Sequence, residues 1–101
     1  MRLPSTFRLF AALTALGLTC QTGRAQTAAQ LIAKGDACDQ VFHAGEALTS
    51  YLPAEKLVPQ DVHLLVSIAR QYRHLMADAL TTKEKLRLGG CALAYDLKAA
   101  K

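Results

Sequence analysis

Two stretches of the chain, 34 residues apart, carry the same pattern: Leu31, Gly35 and Cys38, then Leu65, Ala69 and Tyr72. Each sets bulky, small and bulky residues at steps of four and three, which places all three on one helical face. A unit that recurs every 20–50 residues or so builds by stacking on its own copies. A second pattern lies between the two, in "ALTSYLPAEKLVP" (47–59), where Ala47, Tyr51, Ala54, Leu57 and Pro59 alternate small and large. Pro53 interrupts it. Proline removes the amide bond to Thr49 and crowds that carbonyl, so the expectation is a helix kinked by more than about 20° at Pro53. Extended backbone there would separate Tyr51 from Ala54, which the pattern needs on one face.

From residue 26 onward the chain reads as helix throughout, with few β-branched runs and no strict alternation. The first helix is expected over 27–44, capped by Thr27, with Leu31, Cys38, Val41 and Phe42 as its apolar stripe. A turn at 43–45 leads to the second helix, which "VPQD" (58–61) stops. The third starts at Asp61 and runs to residue 80 through Leu65, Ile68, Ala69, Tyr72, Leu75, Met76 and Ala79. Thr81 and Glu84 fit a capping box for the fourth helix. That helix extends to the end of the chain, with Gly89 and Gly90 as its weak point. Four helices with short connections predict an all-α fold of two antiparallel hairpins.

These residues resemble the tetratricopeptide repeat family. Leu31, Gly35, Ala47, Tyr51, Ala54 and Pro59 fall on the positions that define one repeat, with Lys34 and Cys38 replacing a bulky apolar residue and an aromatic. Leu65, Ile68, Ala69 and Tyr72 match the first helix of a second repeat. Its second helix matches only after a further eleven residues, with Ala92 for Ala47, Ala99 for Ala54 and Tyr95 beside the position of Tyr51. The longer second pair is similar to variant repeats of bacterial proteins and of microtubule-dynamics regulators. The resemblance implies repeats over 28–61 and 62–101, the second incomplete, in a short α-solenoid. It also implies a protein-interaction scaffold without chemistry of its own, whose first helices line a groove for a protein or peptide. A solenoid generally needs three or more repeats. The chain therefore reads either as part of a longer array or as one that completes its core by self-association. An unrelated four-helix bundle acting as a homo-oligomer is the alternative.

The first 25 residues read differently. "MRLPSTFR" is basic, "LFAALTALGL" is apolar but short for a bilayer span, and small residues end at Ala25. This is the pattern of a signal peptide cleaved before Gln26, which predicts a periplasmic or secreted protein that meets the membrane only through this segment. An uncleaved anchor is the alternative, and acylation at Cys20 is disfavoured by the preceding Thr19. The whole chain has 12 basic and 8 acidic residues; without Arg2, Arg8 and Arg24 the count is nine to eight, a net charge of +1. That balance gives no basic face for nucleic acid.

The equivalent outer face of the third helix carries His63, Val66, Arg70, Arg73 and His74. The first helix carries Ala29, Ile32, Asp36, Asp39 and Gln40 at the matching positions. Arg70 and Arg73 are suited to hold a partner's carboxylate. Asp36 and Asp39 could instead neutralise them between repeats, and that is the favoured reading. His43, His63 and His74 are too dispersed for a zinc site, and no cofactor is expected. Ser50, Ser67 and Cys91 lack the neighbours of a nucleophile. Cys38 and Cys91 fall on helices that are not neighbours in stacked hairpins, which favours two thiols over a bridge; a small thiol-redox protein is a third reading.

Overall fold

The computed structural model describes residues 26–101, and the signal-peptide reading of 1–25 lies outside the described residues. Four helices follow one another: α1 (Ala28–Gln40), α2 (Ala44–Leu57), α3 (Val62–Asp78) and α4 (Thr82–Ala100). Among the described residues there is no strand, so the fold is all-α as the periodicity requires.

The starts are set by side chains. Thr27 accepts from the Gln30 amide at 3.2 Å while Gln30 Oε1 accepts from the Thr27 amide at 2.9 Å, a complete capping box. Asp61 Oδ1 accepts from the Leu64 amide at 3.1 Å. Thr81 Oγ1 accepts from the Glu84 amide at 3.1 Å, but the Glu84 carboxylate turns to Arg87 instead of back to Thr81, so that box is half made. Of the four helices among the described residues, only α2 starts without a side-chain cap.

The first turn corrects the sequence expectation. Helix α1 ends at Gln40, the turn is Val41–His43, and Ala44 and Gly45 already belong to α2. The His43 amide donates to the Cys38 carbonyl at 2.9 Å and the Phe42 amide to the Asp39 carbonyl at 3.0 Å. Those paired bonds form the Schellman closure, which requires a left-handed residue at its centre. Phe42 takes that role with φ of 61°. Val41 and Phe42 are consequently outside the apolar stripe, 57% and 76% exposed. Helix α3 likewise stops two residues short of expectation, leaving Leu80 98% exposed.

Helix α2 runs unbroken through Pro53 and ends at Leu57, with Pro59 just beyond. Tyr51 and Ala54 are both fully buried on its inner face. Pro53 and Thr49 are exposed, so water can reach the carbonyl that the proline leaves without a donor. Helix α4 also continues through Gly89 and Gly90.

Each helix packs chiefly on its neighbour in sequence: α1 on α2, α2 on α3, α3 on α4. The core joins Ala47, Leu48, Tyr51 and Ala54 of α2 to Leu64 and Ile68 of α3. Leu31, Ile32 and Cys38 of α1 and Tyr72, Leu75 and Tyr95 of α3 and α4 close around it. The ring of Tyr51 lies against Gly35, where a side chain would overlap it. The small position that the repeat pattern singled out is thus a seat for an aromatic ring.

Candidate interaction surface

Corresponding helices of the two hairpins are tied by single carboxylates. Asp39 of α1 reaches α3: its Oδ1 accepts from Gln71 Nε2 at 2.9 Å, and its Oδ2 lies 3.4 Å from Arg70 Nη1. Glu55 of α2 reaches α4: Oε1 accepts from the Tyr95 hydroxyl at 2.8 Å and Oε2 from Lys98 Nζ at 2.7 Å. Glu55 uses both oxygens on donors and is only 16% exposed, so it acts as a two-pronged clamp. Lys98 in turn stands 4.8 Å from the Tyr95 ring centre, and Tyr95 stacks on Tyr72 at 5.8 Å.

The predicted outer residues divide into those engaged within the chain and those left open. Asp39 does neutralise Arg70, as expected. Asp36 does not face an arginine. Its Oδ1 accepts from the Tyr51 hydroxyl at 2.6 Å and holds the ring over Gly35. Arg73 pairs across the second hairpin with Asp96 of α4 at 2.8 Å. The rings of His74 and Phe42 meet at right angles, with centres 6.0 Å apart. His63 and Val66 are exposed, and neither side chain has a polar or aromatic partner among the described residues. The open part of this face therefore runs along His63 and Val66, with Arg70 and Arg73 as charged margins pulled to either side. Ala29 and Gln40 are exposed, and Ile32 is half-buried against the core.

The repeat positions sort by burial. Gly35, Ala47, Tyr51, Ala54, Leu65, Ile68, Ala69 and Ala92 are buried, whereas Leu31, Tyr72 and Ala99 are partly covered and Pro59 is exposed. In the second hairpin Tyr95 turns inward and Asp96 outward, so the aromatic lies one place before its aligned position.

Gln71 is fully buried, and sequence reading did not single it out. Its Nε2 serves Asp39 Oδ1 and the Ser67 carbonyl, which fixes the amide orientation and leaves Oε1 without a partner. Glu55 was also missed. Its signal lay in Tyr95 and Lys98, two donors at a three-residue step on one face of α4. Asp96, the partner of Arg73, carries no comparable signal.

All three tyrosine hydroxyls ionise less readily than usual. Burial is the main cause at Tyr51 and Tyr95, followed by their hydrogen bonds to Asp36 and Glu55. Burial also dominates at Tyr72. Ionising Tyr51 or Tyr95 would set a phenolate against a carboxylate.

Cys38 and Cys91 are free thiols, each half-buried. Among the described residues no three His, Cys, Asp or Glu side chains are grouped to hold a metal, and no helix is long and apolar enough to cross a membrane. A shallow cavity of about 410 Å³ lies at the far end, between the start of α3 and the end of α4; it is lined by Val62, Leu65, Lys98 and Ala99. No protein-family model matches the chain, and no curated protein or solved structure is significantly similar to it.

Proposed function

We propose that this is an exported protein-interaction scaffold built from two helical hairpins of the tetratricopeptide type. The observation that carries the reading is the pair of ties between corresponding helices: Asp39 joins the first helices and Glu55 the second helices. A repeat array stacks equivalent helices side by side, and its contacts run between neighbours in sequence. The aromatic-on-glycine seat of Tyr51 and Gly35 supports the same reading, as do the buried small residues Ala47, Ala54 and Ala69. The partner is a protein or peptide laid along α3, contacting His63 and Val66. Arg70 and Arg73 lie at the edges, where they can exchange an internal carboxylate for one of the partner's.

The test is position-specific crosslinking in the producing cell. A photoreactive residue at Val66 should capture one defined partner, and the same residue at Glu46, on the exposed side of α2, should not. Arg70→Ala with Arg73→Ala should weaken capture at Val66 while the purified variant keeps its helical spectrum. Equal adducts at both positions, or capture indifferent to the double substitution, would sink the proposal.

A further inference from the structure

Helix α4 is apolar on two opposite sides. One side sends Leu88 and Ala92 into the contact with α3. The other carries Leu86, Gly90, Leu93 and Leu97, at steps of four, three and four, with Ala94 alongside. The three leucines are 72%, 58% and 58% exposed, and a side chain on Gly90 would meet nothing within 4 Å. Between Leu86 and Leu97 the only charged residues are Arg87 and Asp96. Both lie on the flanks and are already paired, with Glu84 and Arg73. An apolar strip of this length on a helix that is already apolar on its inner side marks a helix meant to be covered on both. Helix α2 shows what such a position does in this chain. Leu48 aligns with Leu93 under the offset that matches Ala47 to Ala92, and it is buried in the core that α2 shares with Leu64 and Ile68.

We propose that the strip is covered by the same strip of a second copy, the two α4 helices running antiparallel about a two-fold axis. A two-fold interface needs one patch that complements itself. Steps of four, three and four read the same in both directions, so reversal sets Leu86 beside the partner's Leu97 and Leu93 over the partner's Gly90. A leucine then fills the gap that the glycine leaves, and the small side chain of Ala94 lets the helices approach closely. The strip carries no charge, and the net charge of +1 over residues 26–101 opposes association little. A single helical strip covers less than the 800 Å² or so per partner of a standard interface. The dimer is accordingly weak, forming at micromolar concentration. This interface lies on a different helix from the peptide face above, and of the repeat reading it uses only the offset that sets Leu48 against Leu93.

Sedimentation equilibrium of the purified protein from about 1 to 500 µM tests this, because association makes the apparent mass concentration-dependent. The expected result is a monomer–dimer equilibrium whose dissociation constant rises by about tenfold or more in Leu93→Glu. Gly90→Leu points into open space in the monomer, so it should weaken the dimer equally while leaving the helical spectrum at low concentration unchanged. It decides the matter if Leu93→Glu fails to fold. Leu80→Glu, on the α3–α4 turn, should leave the equilibrium as it was. A monomer across the whole range overturns the proposal, including one whose strip binds only anionic vesicles. So does a dimer that both strip variants leave intact.

Discussion

The ring of Tyr51 rests on the α-carbon of Gly35: a Cβ there would fall 2.9 Å from the ring's Cζ and nearer still to two other ring carbons. The ring cannot withdraw easily. It is fully buried among α1, α2 and α3, and its hydroxyl is fastened to Asp36. Gly35→Ala therefore sets two effects against each other. Alanine favours a helix interior by about 1 kcal/mol, while forcing a group into a packed site costs about 1–3 kcal/mol, more where nothing can shift. We expect a net loss of about 2 kcal/mol in urea unfolding, by those same magnitudes. Gly45→Ala, where a Cβ meets nothing within 4 Å, should instead stabilise. Equal effects at the two glycines would remove the ring-on-glycine contact from the account.

The three tyrosines make a second expectation, in alkaline solution. Each has its folded-state pKa raised above the ordinary value of 10.0. A group raised in this way favours the folded state fully below the unfolded value and loses that contribution as pH climbs toward the folded one. Stability should thus be flat up to about pH 10 with respect to these groups, then fall. Absorbance at 295 nm should show little phenolate at that pH, and its rise should coincide with loss of the helical spectrum. Tyr51→Phe and Tyr95→Phe should each make the alkaline fall less steep, at the expense of the bonds to Asp36 and Glu55. A phenolate titration centred on the ordinary value in a still-helical protein would show that the hydroxyls are not held as described.

The sequence made the helices legible because their signals are local. Thr27, Asp61 and Thr81 each sit one position before a helix and accept the amide three residues on, as their types and spacing imply. Burial of Ala47, Tyr51, Ala54, Leu65, Ile68 and Ala69 followed from periodicity alone. The first turn did not, because Val41 and Phe42 are apolar and continue the stripe on paper. Their exposure follows from the Schellman closure, in which apolar character has no part. The carboxylates were the least legible. Asp36 and Asp39 are one helical turn apart with the same chemistry, yet one bonds to α2 and the other to α3. That choice depends on the rotation of α1 against two neighbours, which no residue spacing specifies.

Phe42 bears on stability in the direction opposite to most substitutions. It holds a φ of 61° at the centre of the first turn, a conformation that costs roughly 1–2 kcal/mol for a residue with a Cβ. It is 76% exposed, so little burial offsets that cost; its one notable contact is the perpendicular ring of His74. Phe42→Gly should raise unfolding stability by about 1 kcal/mol, the cost less the extra freedom that glycine has when unfolded. His74→Ala should matter little in that background. A loss of stability in Phe42→Gly would mean that the Phe42–His74 contact outweighs the strain, and a double-substitution cycle would then measure it.

Pro53 poses the last balance. In the interior of α2 it forgoes the bond to the Thr49 carbonyl, a defect that costs about 3 kcal/mol in an unadapted helix. Here the cost is reduced, because Pro53 and Thr49 face solvent, where water can bond to the Thr49 carbonyl in place of the missing amide. Pro53→Ala restores the amide without touching the buried face, so it should stabilise by about 1–2 kcal/mol, a part of the full helix penalty. The opposite result has a definite meaning. If Pro53→Ala destabilises, and Tyr51→Phe then costs less than it does in the unaltered chain, the proline is what aligns Tyr51 with Gly35 and Asp36. The two substitutions, alone and together, distinguish a tolerated proline from one that the aromatic seat requires.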